Sequence, residues 1–326
     1  MTARPLRVAA VIATVLAVTL AIVAAQNAAI ATLMPHLGRL TTDFSPAFLR
    51  RELDTATARP RNVVFLGDSV LWGYRLPVEQ TAVSILAAHG CVCTNLAFKS
   101  GNPPNDYALA RVFRARGVRP RAVIVEVNQK VLSAADPEYR TLHPAVAALA
   151  SPYLTGADRA ALDVPAASGG LPRGLDGALE RAWLLYAMRP DIRAALYHDD
   201  DTDAPAPPAT AAQYEGSYDL SPLTARNTGV RYLDSSVAAL RADGIPVIAF
   251  LTPTNHTLLR DYIDSPAYAA NGAFLRRLLE RRGARVADWD RAFPAREFID
   301  NDHLTAAGQR HLAALLERLL HEARLE

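Results

Sequence analysis

The stretch Val63-Val64-Phe65-Leu66-Gly67-Asp68-Ser69-Val70-Leu71-Trp72-Gly73 decides how this chain is read. Its first four residues form a continuous apolar run, the pattern of a short strand buried on both faces, and Gly67 permits an abrupt turn where that strand ends. Ser69 is thereby presented at the carboxyl edge of a parallel sheet, where open α/β sheets bind their ligands. Two readings of Ser69 fit this stretch alone. It is a cap for the helix that follows, a position that suits both Asp and Ser, or it is a nucleophile. The second reading needs a partner, because a serine hydroxyl is almost never ionised at neutral pH and requires a base.

A partner is available near the other end of the chain. Phe298-Ile299-Asp300-Asn301-Asp302-His303-Leu304-Thr305 precedes a helical apolar pattern that includes Leu304, Leu312, Leu315, Leu316, Leu319 and Leu320, with Thr305 as its cap. Asp300 and His303 are three residues apart in a segment entering a helix. The carboxylate can fold back to accept from Nδ1, leaving Nε2 to take a proton from a serine hydroxyl. An ordinary acidic turn before a helix would look the same, but together with the Ser69 turn the pair favours a Ser-His-Asp site. His256 is a rival base, and His303 is preferred because an aspartate is already spaced to orient it.

Between these ends the chain alternates. Strands are predicted over residues 62–66, 92–97, 122–127, 246–251 and 284–288, and helices over 78–88, 106–116, 223–243 and 268–282, the last two stopped by Gly244 and Gly283. Continuous apolar strands separated by helices predict a doubly wound parallel sheet. Residues 132–221 break the rhythm: they are rich in Pro, Gly and Ala, hold one helical pattern over 175–188, and are expected to form an insertion over the sheet edge between the third and fourth strands.

Four blocks of this sequence resemble the SGNH (GDSL-type) hydrolases and acyltransferases. They are Gly67-Asp68-Ser69-Val70-Leu71-Trp72-Gly73; Asn95-Leu96-Ala97-Phe98-Lys99-Ser100-Gly101-Asn102; Val123-Ile124-Val125-Glu126-Val127-Asn128; and Asp300 to His303. The resemblance implies a three-layer, flavodoxin-like α/β fold with a central parallel sheet, and Ser69, His303 and Asp300 as catalytic residues. It also implies an oxyanion hole made by the backbone N–H groups of Ser69 and Gly101 and the side-chain amide of Asn128. The chain departs from the family at Glu126, which stands where simple family esterases have glycine. Glu126 shares a strand face with Asn128, so it either approaches the pocket or binds a neighbouring arginine, and the second role is preferred. Trp72, Asn102, Thr252, Asn255 and His256 are candidate substrate-binding positions, the last three because their loop leaves the same sheet edge as Ser69.

The N-terminus indicates where the chemistry takes place. Residues 8–25 carry no charge and are interrupted by polar residues only at Thr14 and Thr19. About 20 apolar residues span a bilayer, whereas a signal-peptide core usually has about 7 to 15. Arg4 and Arg7 before the run predict a cytoplasmic N-terminus and an exported body. The small residues Val23, Ala24 and Ala25 leave a cleaved signal peptide as the rival, and it exports the body as well. The expected organisation is therefore an anchor over 1–33, a stalk over 34–60 and a catalytic domain over 61–326.

Composition narrows the partners. The net charge of +2 over 326 residues is too small for nucleic-acid binding, and the basic residues alternate with acids along helical stretches. Cys91 and Cys93, the only cysteines, are expected to be free or buried thiols, and no second Cys or His cluster supports zinc. The acidic run at 198–203 reads as a solvated loop rather than a cation site, so no metal is expected. No P-loop, dinucleotide-binding turn or zinc-protease motif is present, and no cofactor is expected. Tyr153, Trp183, Tyr186 and Tyr197 are either an aromatic platform for a sugar ring or, as aromatics in helices more often are, core residues. The expected function is an extracytoplasmic serine esterase or O-acyltransferase on an acylated envelope polysaccharide, with a membrane acyl-donor partner in the transferase case. The alternative is a catalytically silent SGNH-like module that binds glycan or scaffolds an envelope complex.

Overall fold

The structure, a computed structural model, describes residues 3–37, 46–59, 62–132, 141–162, 178–179, 182–189, 209–214, 217–218 and 220–323. Five strands, β1 (Val63–Leu66), β2 (Cys93–Asn95), β3 (Ala122–Val127), β4 (Val247–Leu251) and β5 (Arg285–Asp288), pair in parallel in the order β2-β1-β3-β4-β5. This is the flavodoxin-like order, in which the chain reverses its direction of winding between β1 and β3. The expected strands and the observed ones agree to within two residues at each end, because a run of apolar β-branched residues between turn formers leaves little choice of register.

The helices are α1 (Ala3–Leu37), α2 (Pro46–Ala58), α3 (Ser69–Trp72), α4 (Ala82–Ala88), α5 (Pro103–Arg116), α6 (Pro144–Ala150), α7 (Gly156–Ala161), α8 (Leu184–Ala187), α9 (Thr228–Ala242), α10 (His256–Ile263), α11 (Pro266–Arg281) and α12 (Ala306–Glu322). Strand alternation divides the core into two. Val64, Leu66, Val123, Val125, Val247 and Ala249 pack against α2, α5, α6, α9 and α11. Val63, Phe65, Ile124, Ile248 and Phe250 face the other way, onto α3, α4 and α12. Each buried Leu of α12, such as Leu312 or Leu316, contributes about 1.5–3 kcal/mol by leaving water. The result is a three-layer α/β architecture.

The chain divides into two compact units. One comprises Thr42–Ala167 and Asp200–Glu326 and contains the sheet. The other comprises Met1–Thr41 and Ser168–Asp199, so this part of the insertion groups with the N-terminal helix. The region expected to be a stalk also holds a core helix: Leu49, Leu53 and Ala56, on one face of α2, are buried in the larger cluster. The cysteines differ from expectation too. Cys91 and Cys93 form a disulfide, their Cα atoms 5.4 Å apart and so within normal bonding range despite a sequence separation of 2. The acidic run at 198–203 and Tyr197 lie outside the described residues.

Candidate active site

Ser69 follows β1, Gly101 follows β2, Asn128 follows β3 and Thr252 follows β4, which gathers them at the carboxyl edge of the sheet, next to the β1/β3 switch point. Ser69 is the first residue of α3, and the cap is Asp68, whose side chain accepts from the Val70 N–H at 2.9 Å. Because Asp68 supplies the cap, the Ser69 hydroxyl is left for other work. Its Oγ lies 2.8 Å from His303 Nε2, and His303 Nδ1 lies 2.7 Å from Asp300 Oδ2. The other Asp300 oxygen accepts the backbone N–H of His303 at 2.9 Å, so one carboxylate holds both the ring and the chain that carries it. Residues 234 apart in sequence thus form one hydrogen-bonded chain from hydroxyl to imidazole to carboxylate.

The loops around this chain are tied to one another. Gln309, buried in α12, donates to the Val70 carbonyl at 2.7 Å and accepts from the Ala82 N–H at 2.8 Å, which fixes the Ser69 turn to the helix that follows His303. Asn255 caps α10 and donates to the Asp300 carbonyl at 2.9 Å. Tyr74 lays its ring 4.3 Å from that of His303. Arg75 and Ser100, at φ 58° and 60°, hold left-handed backbone conformations that residues other than glycine rarely adopt, and such strain concentrates at functional sites.

The oxyanion donors are arranged differently from the expectation. Asn128, 2% exposed, spends both amide hydrogens on carboxylates, donating to Asp68 Oδ2 at 2.9 Å and Asp302 Oδ2 at 3.0 Å. The Gly101 N–H donates to the Phe98 carbonyl at 2.9 Å. Among the described residues only the Ser69 N–H of the three has no acceptor. Gly101 is nonetheless required for packing, since a Cβ there would meet the Gly67 carbonyl at 2.0 Å.

Glu126 does not bind an arginine. Its Oε2 accepts the backbone N–H groups of Asp68 at 3.1 Å and Leu71 at 3.3 Å, and its Oε1 accepts the Thr252 hydroxyl at 3.1 Å. It therefore sits under the Ser69 turn in space that Gly67 leaves open, where a Cβ would lie 2.4 Å from Oε2. Burial, with Asp68 adding to it, pushes the Glu126 carboxyl well above its ordinary range. Asp106 is raised by burial and then by Asp68, and Asp68 by burial and then by Asp302. Asp302 goes the other way: burial would raise it, but the Lys130 ammonium 2.6 Å away, aided by His303, holds it below the carboxylate range. Sequence reasoning missed Asp302, Lys130 and Gln309. The only signal for Gln309 was its place on the buried stripe of α12, and nothing in the spacing pointed to Lys130.

The candidate substrate positions have structural duties. Trp72 is 2% exposed and packs in the core. Asn102 caps α5, and Thr252 is buried against Glu126. His256 is clamped between Asp264 at 2.9 Å and Asp290 at 2.7 Å, so neither ring nitrogen faces Ser69. The ligand atoms of Asp300, Asp302 and His303 are close enough together to hold a cation, lying within 4.8 Å of one another. Asp300 is engaged with His303, and Asp302 Oδ2 with Lys130 and the Asn128 amide, while Asp302 Oδ1 is buried without a hydrogen-bond partner among the described residues, 3.6 Å from His303 Nδ1.

A protein-family model matches residues 224–324, the segment from just before α9 to the end of α12. No curated protein matches the sequence. Among solved structures, a protein described as lipolytic, of the G-D-S-L family, from Desulfitobacterium hafniense DCB-2 is similar with a TM-score of 0.38 and 12% identity, over 80% of this chain and 99% of that one. Est24, a carbohydrate acetylesterase from Sinorhizobium meliloti, is similar with a TM-score of 0.41 and 12% identity, again over 80% of this chain and 99% of that one. Similarity this distant carries no functional weight, and the chemistry is read from the site itself.

Proposed function

We propose that this protein is a membrane-anchored, extracytoplasmic SGNH-type serine esterase or O-acyltransferase. The observation that carries the reading is the Ser69 Oγ to His303 Nε2 contact of 2.8 Å, backed by Asp300 at 2.7 Å. His303 takes the Ser69 proton as Oγ attacks an ester carbonyl, and it then returns that proton to the departing alkoxide. The acyl group is left on Ser69. The developing oxyanion meets the Ser69 N–H. The Gly101 N–H joins it only by leaving Phe98, and the Asn128 amide only by leaving Asp68 or Asp302, and one donor of this kind typically contributes about 100-fold or more in rate. Water releases the acyl group in an esterase, and a sugar hydroxyl does so in a transferase.

The substrate reading is an O-acetylated cell-envelope polysaccharide, and it follows from the four-block resemblance together with an apolar N-terminal helix ahead of the body. A transferase of this topology would take its acyl group from a membrane partner. In this reading residues 1–33 are the anchor, 34–60 the stalk and 61–326 the catalytic domain, with α2 of the stalk packed on the body.

The occupied oxyanion donors and the carboxyl of Glu126 beneath the turn favour a second reading, a silent SGNH-like module that binds glycan or scaffolds an envelope complex. A serine-reactive fluorophosphonate separates the two. The enzyme labels and its Ser69→Ala variant does not, whereas a folded wild type that resists labelling would sink the enzyme. Incubation with 4-nitrophenyl acetate, with and without an oligosaccharide acceptor, then divides esterase from transferase. Turnover that rises with acceptor identifies the transferase.

A further inference from the structure

The apolar helix does not end in isolation. Of its 23-residue span Val8–Ile30, residues 8–22 are exposed, and the partly covered positions are Val23, Gln26, Asn27 and Ile30. These lie at i, i+3, i+4 and i+7, one face of the helix. Among the described residues, the segment holding α8 (Leu184–Ala187) lies against this helix. Asn27 donates to the Ala182 carbonyl at 2.8 Å and accepts the Leu184 N–H at 2.8 Å, and Gln26 accepts the Trp183 indole N–H at 2.9 Å. The two polar residues at the end of an apolar span are thus spent on a distant part of the same chain.

Their depth can be placed. At about 1.5 Å per residue, Gln26 lies roughly 27 Å along the helix from Val8, close to the hydrocarbon thickness of about 30 Å. The segment they hold has the composition of a membrane interface. Trp183 and Tyr186 stack with centroids 5.9 Å apart, and the exposed Arg189 lies 3.9 Å over the Tyr186 ring. Leu184 and Leu185 are partly exposed apolar neighbours of the rings, whereas Ala187 and Met188 are buried. Aromatic rings with one polar edge settle at headgroup level, and arginine there meets lipid phosphate.

We propose that residues 182–189 form a lipid-facing interfacial collar, clasped to the outer end of the membrane helix by Gln26 and Asn27, with Trp183 and Tyr186 at the headgroup level of the bilayer. The clasp satisfies backbone and side-chain polar groups that would otherwise be costly at that depth. The collar rests on the reading of α1 as a membrane anchor and adds a second membrane contact far along the chain.

The test uses the full chain, with fluorotryptophan at its three tryptophans, in phosphatidylcholine nanodiscs. Fluorine signals are assigned with Trp183→Phe. Lipids spin-labelled at the headgroup end of the acyl chain should broaden the Trp183 signal strongly and those labelled at the methyl end should broaden it less, while Trp72 and Trp289 stay sharp. In the Gln26→Leu/Asn27→Leu variant the selective broadening should be lost while the chain stays in the disc. A Trp183 signal no broader than the other two, in a chain that remains disc-bound, overturns the collar and leaves the anchor standing. A chain that does not enter discs overturns the anchor reading and the collar with it.

Discussion

Glu126 and Gly67 share one small volume, and each tolerates the other only as it is. A Cβ at residue 67 would fall 2.6 Å from the Glu126 Cβ, so Gly67→Ala overpacks a buried site and should cost about 1–3 kcal/mol. Glu126→Gly frees the space but strips the Asp68 and Leu71 N–H groups of their acceptor, a loss of similar size. The two costs overlap, so the double variant should be less destabilised than the sum of the singles by at least about 0.5 kcal/mol, read from urea unfolding. Strict additivity would show that the carboxyl and the glycine act independently. His256 offers a second test. Burial alone would lower its pKa, but the hydrogen bonds to Asp290 and Asp264 outweigh it and hold the ring above the ordinary histidine value. Its stabilising effect is therefore complete below the unfolded value of about 6.5 and is lost as pH climbs through the raised folded value. The unfolding free energy of wild type minus that of His256→Gln should be largest in mild acid and shrink toward alkaline pH. A difference that grows with pH would mean the ring is held neutral.

At the scale of elements, the site depends on how α12 begins. Thr305 caps it by accepting the Gly308 N–H at 3.2 Å, and its hydroxyl donates to the Glu297 carbonyl at 3.2 Å. Thr305→Ala removes both and should lower stability by about 1 kcal/mol, seen as a lower midpoint in urea with an unchanged slope. A changed slope would mean that the loop bearing Asp300 and His303 had come apart as well. The strands and α12 were legible because their patterns are local: apolar runs between turn formers, and a leucine stripe behind a cap. α10 was not anticipated. Only its first residue, His256, falls in the polar loop read after the fourth strand, and the helix exists because Asn255 caps it and Leu259 and Ile263 find Tyr218 and Tyr268 to pack on, contacts that no local pattern announces. The expected helix over 175–188 is described in part: residues 178, 179 and 182 are helical and α8 covers 184–187, with neighbours supplied by α1.

At the scale of the whole molecule, the two units place different demands on their surroundings. The span in α1 is long and apolar enough to cross a bilayer, and we expect the full chain to stay with membranes through a carbonate wash and to retain its N-terminal segment by mass spectrometry. Release of a chain beginning near Gln26 would identify a cleaved signal peptide. Local order along the sequence determined the parallel sheet, the turn that carries Ser69, the pairing of Asp300 with His303 and the apolar span, because each is written in residues within a few positions of one another. The tertiary structure alone decided which groups those residues spend their hydrogen bonds on. Asn128 gives its amide to Asp68 and Asp302, Glu126 settles beneath the Ser69 turn, Lys130 lowers Asp302, and Gln26 and Asn27 of α1 clasp Trp183 and its neighbours. A buried donor or acceptor must be satisfied by whatever the fold brings within about 3 Å of it, and those partners come from segments far apart in the chain.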